Sequence, residues 1–305
     1  DQMDLPWPVY AMDSGGMKGS FEAGYSAASL RIEKEMKTKE KIPASVNVLG
    51  LSTVHMKGRE DAEEIRRLLS LSGIRVISMP GGGSNWEDIM DAPSASLNIV
   101  VRDELGLSLA KQMERDFGTP YMSCGLPYGT DGTMAWLSEI IEKLRAGELT
   151  RASQEASKLK EFLLRKGNNL ESLWGPLWFD AVLISAPPSE ALGIAETIRS
   201  EWIDTARLVI HAQCETKKST PAADAIRVVM KNEKEIAKDY EDWQGGLVLS
   251  SSHETHLFRR MGRSFTGFHI ALPSHDEVHF SDLPQCGLRG AGYLYEQLWN
   301  AKLRK

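Results

Sequence analysis

The sequence predicts an α/β protein of two Rossmann-like domains, each with a mainly parallel sheet flanked by helices. Three observations carry this expectation. Short apolar segments alternate with amphipathic, helix-period segments through both halves of the chain. The strand candidate at 97–101 is apolar apart from Asn98, as expected of a strand covered on both faces. Gly-rich or titratable stretches follow the strand candidates, where open parallel sheets bind ligands.

In chain order, strands are expected at 8–13, 46–52, 74–79, 97–101 and 119–123. Helices are expected at 20–38, 59–72, 84–91, 103–117 and 131–146, completing a first domain over 1–146. The 59–72 helix gathers Ala62, Ile65, Leu68, Leu69 and Leu71 mostly on one face, with Glu and Arg elsewhere. Ser84 and Glu87 stand at capping-box spacing before the next helix. Residues 147–175 read as a charged connecting helix, with Leu159, Phe162 and Leu163 on one side and Gly167-Asn168-Asn169 as its end. The second domain, 176–305, has strands near 179–185, 207–212, 226–230, 246–250 and 267–272. Its helices fall near 188–201, 232–243, 254–262 and 287–302, and Ser251 with Glu254 forms another capping box.

Composition narrows the function classes. A net charge of −6 with 26% charged residues argues against general nucleic-acid binding. No apolar run approaches the ~20 residues of a membrane helix, and the first residues have no signal-peptide character. Three cysteines, Cys124, Cys214 and Cys286, are far apart without C-x-x-C spacing, which points to a reducing, cytoplasmic setting. Three thiolates also fall short of the four that an iron–sulfur cluster takes from one chain.

The candidate chemistry sits at strand ends. Ser14-Gly15-Gly16-Met17-Lys18-Gly19-Ser20 follows a strand and opens a helix, so its backbone N–H groups can approach an anionic ligand. It is neither a G-x-x-x-x-G-K-[ST] nor a G-x-G-x-x-G loop, and a tight βα turn explains it equally. Pro80-Gly81-Gly82-Gly83-Ser84 is a second such loop. Ser252 and His253 open a helix at the interdomain cleft, and His253 with His256 has the spacing of a metal pair, although no metal site is expected. His275, Asp276, Glu277 and His279 share one loop, where a histidine beside carboxylates suits acid–base chemistry and a solvated polar loop is the plainer reading. His275 and Asp276 are the catalytic candidates. Arg289 either binds an anionic group or pairs with Asp276, and the pair is preferred. The expected cleft is lined by 14–20, 80–84, 127–131, 250–254 and 273–279.

These motifs, in this order, resemble the nitrogenase component 1 proteins and their nitrogenase-like relatives. Val9–Asp13, the Gly15–Ser20 loop and Gly24-Tyr25 are similar to the family's strand, T-P-G-F-x-G-S loop and G-Y. Val46-Asn47-Val48-Leu49-Gly50 resembles V-N-[IV]-[IL]-G, and Ile65–Leu69 with Gly73–Val76 resembles I-x-R-L-L…G-I-x-V. Gly118–Tyr121 and Pro127–Thr133 resemble G-x-P-[YW] and P-x-G-x-x-x-T. The C-terminal series of Ser252-His253-Glu254, Pro273-x-x-Asp276 and Gly287-x-Arg289-Gly290-Ala291 completes the likeness.

The resemblance implies a subunit working with a sibling component 1-type subunit, as homo- or heterodimer, and receiving electrons one at a time from an ATP-dependent iron–sulfur reductase. Family members have three such domains, the first carrying cysteines for a cluster between two subunits. This chain starts where the second would start, so it is expected to be a fragment or a relative without that domain, and the cluster's ligands are expected outside it. Departures bear on the reaction. Where nitrogenase has its cofactor cysteine, this strand runs into Arg102-Asp103-Glu104. The cofactor's histidine belongs near Pro273-Ser274-His275, and only a shifted alignment matches it to His275. The helix at 19–31 contains no histidine either. The resemblance therefore favours the relatives that reduce tetrapyrroles over nitrogen fixation, with a substrate such as a tetrapyrrole or a metal cofactor held in the interdomain cleft. Two alternatives share the two-domain architecture: a metal-chelate or siderophore binding protein, and a nucleotide-sugar transferase.

Overall fold

A computed structural model describes residues 19–228, 240, 241, 243 and 245–304. The expected 8–13 strand and most of the 232–243 helix lie outside them.

The first unit runs α1 (Phe21–Glu33), β1 (Ile42–Leu49), α2 (Gly58–Leu71), β2 (Arg75–Ser78), α3 (Trp86–Asp91), β3 (Ala95–Val100), α4 (Asp103–Phe117), β4 (Tyr121–Ser123) and α5 (Thr130–Leu144). Helix α6 (Thr150–Trp174) follows. The second unit runs β5 (Trp178–Ala186), α7 (Pro188–Thr197), β6 (Asp204–Ala212), β7 (Ala225–Val228), β8 (Leu247–Ser250), α8 (Ser252–Arg260), β9 (Thr266–His269) and α9 (Gly287–Leu303). The strands form a four-stranded sheet, β2-β1-β3-β4, and a five-stranded sheet, β7-β6-β5-β8-β9. Every pairing is parallel, from Val46↔Leu97 in the first sheet to Leu183↔Val209 and Leu183↔Val248 in the second. Central strands are buried on both faces, which accounts for their continuous apolar sequence. One hydrophobic cluster continues from Val46 and Ile99 to Val182 and Ile210, so the two sheets share a core.

Several local expectations need correction. Helix α6 runs straight through Gly167-Asn168-Asn169. Gly167 is there for packing: a Cβ on it would lie 2.4 Å from Tyr295 Oη on α9. The buried face of α6 is the small-residue set Ala152, Ala156 and Gly167, with Leu159 packed against the core as expected, while Phe162 is exposed. Helix α3 is capped by Asn85, whose Oδ1 accepts the Asp88 N–H at 2.8 Å. Ser84 does not cap it, because its Oγ accepts the Met79 N–H at 2.8 Å inside the preceding loop. Helix α1 ends at Glu33, well short of 38. The predicted 188–201 helix becomes α7 followed by a π turn over Ile198–Trp202. The Ser251–Glu254 capping box is present, and Glu254 also accepts a 3.0 Å bond from Ser185 Oγ on β5.

The units are tied by a buried ion pair. Arg102, at the end of β3, is fully buried. Its Nε and Nη2 donate to Glu190 Oε1 on α7 at 2.9 and 2.6 Å, and its Nη1 donates to the Gly50 carbonyl at 3.3 Å. Removing one partner strands the other charge in the core. Arg102→Met is therefore expected to cost about 3–5 kcal/mol in urea unfolding, and Arg102→Met with Glu190→Leu is expected to recover most of it. Equal losses in the single and double variants would contradict this account.

Candidate functional site

Parallel strands direct their C-terminal ends toward the ligand side of a sheet, and here those ends from both sheets face one another. The Ser189 hydroxyl, at the start of α7, accepts the Asp103 N–H at 3.2 Å and donates to Glu104 Oε2 at 2.6 Å. Lys218 Nζ, beyond β6, reaches Asp103 Oδ2 at 2.8 Å and donates to Ser123 Oγ at 2.7 Å. Beside these contacts runs a groove of about 370 Å³ between the units, lined by Cys124, Leu126 and Glu139 on one side and Leu192, Glu196 and Lys218 on the other.

Around the buried pair lies a set of shielded titratable groups. Burial pushes Glu104 up, against its Ser189 hydrogen bond, and its Oε1 is buried without a partner. Burial and then the Arg102 charge push His55 down to about 3, against the pull of Glu22. The His55 ring meets Phe21 edge-on at 5.8 Å. Burial, then Glu104, Glu22 and Glu215, push the Cys214 thiol up to about 12. Tyr25, raised to about 12 by burial, donates to the carbonyls of Leu51 at 2.8 Å and Pro80 at 3.0 Å. At neutral pH this gives a neutral imidazole, a protonated thiol and a carboxyl biased toward its acid form. Of these residues, the sequence reading singled out 102–104 only for the cysteine missing there. His55, Glu190 and Cys214 carry no local motif.

The sequence-predicted residues are distributed unevenly. Gly15, Gly16 and Lys18 lie outside the described residues. Gly19 is exposed, and Ser20 is the N-cap of α1, accepting the Ala23 N–H at 3.3 Å. Gly82 closes a turn onto Met79, and a Cβ on it would strike Leu51 Cδ1 at 2.8 Å; Gly83 follows it in the same loop. Ser252 Oγ accepts the His275 N–H at 2.6 Å and donates to Asp276 Oδ1 at 2.7 Å, tying the 273–276 loop to α8. Asp276 pairs with Arg259 at 2.6 Å. Against partial burial, the bonds from Arg259 and Ser252 hold Asp276 down at about 2. His253 and His275 are exposed.

The preferred Arg289–Asp276 pair is not formed. Arg289 faces Glu64 on α2, with Nε 3.7 Å from Oε2 and its N–H 3.3 Å from Oε1. At the 127–131 segment a side chain from the π turn after α7 takes the N–H groups that open α5. Glu201 fills the N-terminus of α5, accepting from Thr130 N–H and Oγ1 at 2.7 Å and from the N–H groups of Asp131 and Gly132 at 3.0 Å. Gly129, at φ +72°, allows this approach, since a Cβ there would sit 2.3 Å from Glu201 Oε1.

Comparison with known proteins places this architecture. The family model for nitrogenase component 1 type oxidoreductases matches residues 2–303. The chain belongs to that family. A light-independent protochlorophyllide reductase subunit from Chlorobium phaeobacteroides (strain BS1) is 25% identical over 306 residues, covering 92% of this chain and 55% of its own. The nitrogenase iron-molybdenum cofactor biosynthesis protein NifE of Clostridium pasteurianum is 30% identical over 167 residues, covering 54% of this chain and 34% of its own. The solved structure of nitrogenase Cp1 at pH 6.5 superposes with a TM-score of 0.71 at 16% identity, covering 94% of this chain and 66% of that one, a likeness of fold. The chain spans about half the length of the curated relatives it matches. No helix among the described residues is long and apolar enough to cross a membrane.

Among the described residues, the cysteines assemble no ligand set for an iron–sulfur cluster. Cys286 is fully buried at the start of α9, Cys124 follows β4, and Cys214 follows β6. None belongs to a group of potential metal ligands among the described residues, and four thiolates are required. Anaerobic reconstitution of the isolated chain is accordingly expected to leave no stoichiometric acid-labile sulfide.

Asp61 gives a pH prediction. Its Oδ1 accepts the N–H groups of Gln285 at 2.7 Å and Cys286 at 3.0 Å, while Oδ2 is buried without a partner. Burial raises it to about 6, against the Arg102 charge. A carboxyl raised above its ordinary range favours the folded state while protonated, and that contribution is lost as pH rises through about 6. Asp61→Asn keeps the Oδ1 acceptor without the charge. Its stability relative to the parent is expected to be more favourable at pH 8 than at pH 5, by on the order of 1–1.5 kcal/mol in paired denaturant titrations.

Proposed function

We propose that this chain supplies the second and third domains, 1–146 and 176–305 joined by 147–175, of a component 1-type subunit that holds a tetrapyrrole between them while it is reduced. Electrons would come from an ATP-dependent iron–sulfur reductase, through a cluster whose ligands lie in a sibling subunit or a further domain. The observation carrying this reading is Arg102. At the position where the resemblance puts a cofactor cysteine stands a guanidinium, fully buried and paired with Glu190. That leaves no thiolate to anchor a resident metal–sulfide cofactor at this strand end. The protochlorophyllide reductase relatives, matched over 84–92% of this chain, favour the same substrate class.

Saturating one double bond takes two electrons and two protons. The electrons belong to the reductase. The protons are assigned to this chain's own groups: Glu104, biased toward its acid form, and His275 on the exposed 273–279 loop. Asp276 positions that loop through Ser252 and Arg259. The polar ends of the ligand would meet Gly15–Ser20, Gly82, Gly83, His253 and Arg289.

The test is protochlorophyllide added anaerobically to the complete complex with reductase and ATP, followed by absorbance. The expected result is a shift of the pigment band on binding, then the spectrum of the reduced product. Absence of both binding and reduction would overturn the reading. In the same assay His275→Ala is expected to lower turnover by roughly 10²-fold without loss of pigment binding. Unchanged turnover would leave Glu104 as the donor.

A further inference from the structure

The loop after β9 folds back on the strand and brings together a donor set that neither the reaction nor the capping uses. His269, the last residue of β9, is 2% exposed. Its Nδ1 lies 3.8 Å from Glu277 Oε2, and the same oxygen lies 3.7 Å from His279 Nε2. All three donor atoms fall within 4.8 Å of one another, the one such group of three or more among the described residues. Two ligands at tetrahedral angles around zinc stand ~3.4 Å apart, given its bond lengths of about 2.0–2.2 Å. A small inward movement of a surface loop therefore completes three bonds. Ser274 Oγ lies 2.9 Å from His269 Nδ1 and 3.4 Å from His279 Nε2, beside the fourth position.

The surroundings are those of an oriented imidazole. His269 turns its other nitrogen, Nε2, toward Asp276 Oδ1 and Thr255 Oγ1, each at 3.4 Å. Ser252 and Arg259 in turn fix Asp276. A carboxylate behind a histidine sets which ring nitrogen carries the proton and frees the opposite lone pair for a metal. Glu277 supplies negative charge to a dication, while Asp276 is already paired with Arg259. Lys57, the nearby cation, has its ammonium on the Ser281 carbonyl. Two imidazoles, one carboxylate and a neighbouring hydroxyl, with no thiolate, suit a single borderline ion such as Zn²⁺ or Co²⁺ and not a sulfide cluster.

We infer that His269, Glu277 and His279 form a mononuclear site for a divalent transition metal of the zinc class, one that fastens the 274–281 loop to the end of β9. This site is independent of the pigment-reduction reading.

The test uses the metal-free chain at neutral pH, titrated with Co²⁺ and then displaced with Zn²⁺. The expected result is one Co²⁺ per chain, with the intense visible absorption of a tetrahedral ion and no thiolate-to-cobalt band in the near ultraviolet. His279→Ala and Glu277→Gln, both in the loop, are expected to keep the circular dichroism of the parent and to weaken binding at least tenfold. Asp276→Asn is expected to weaken it by about 10–100-fold, and His256→Ala, on the exposed face of α8, to leave it unchanged. A thiolate band, a non-stoichiometric octahedral signal, or binding indifferent to His279→Ala and Glu277→Gln would overturn the inference.

Discussion

A guanidinium with no access to water constrains this molecule more than any other group. Arg102 leaves β3 directly into the junction, where Glu190 meets it from the first turn of α7. Desolvating both charges costs several kcal/mol per ion, offset only while geometry and additional hydrogen bonds are kept. Here the Gly50 carbonyl supplies an additional bond, and the start of α7 favours the negative charge on Glu190. The arrangement therefore holds the two sheets at a fixed separation. The shielding that biases Glu104 and His55 belongs to the same buried region.

Around this buried region, helix ends are closed by carboxylates from distant parts of the chain. Glu201 accepts from the first turn of α5, while Asp61 and Glu64 accept at the start of α9. A helix N-terminus attracts anions in general. Here the N-termini of α5 and α9 are already satisfied from within.

Readings that depend on neighbours a few residues apart survive in the structure. Parallel αβ alternation and the Ser251–Glu254 box are of this kind, since hydrophobic period and capping are set within one or two turns. Ser84 shows the limit: its hydroxyl had two local partners, and the loop took it while Asn85 took the helix. Gly167 read as a terminator because its packing partner, Tyr295, is 128 residues away. Arg289 read toward Asp276 because both lie late in the chain, yet Glu64 lies 225 residues earlier. The shielded set of His55, Glu104, Glu190 and Cys214 was invisible for the same reason. Each is an ordinary residue on its own, and the junction of two sheets makes them a group.

The closing helix draws these distances together. Helix α9 belongs to the second unit by sequence and also packs on α2, α5 and α6. The Gly287 N–H donates to the Pro127 carbonyl at 2.6 Å just ahead of the contacts with Glu64. A nascent chain leaves the ribosome in sequence order, so α2, α5 and α6 emerge with that face bare, and Asp61 without the N–H groups it accepts. Their apolar surface stays uncovered until residues 285–303 appear. The packing of the first unit is complete only once this last segment of the chain has docked on it.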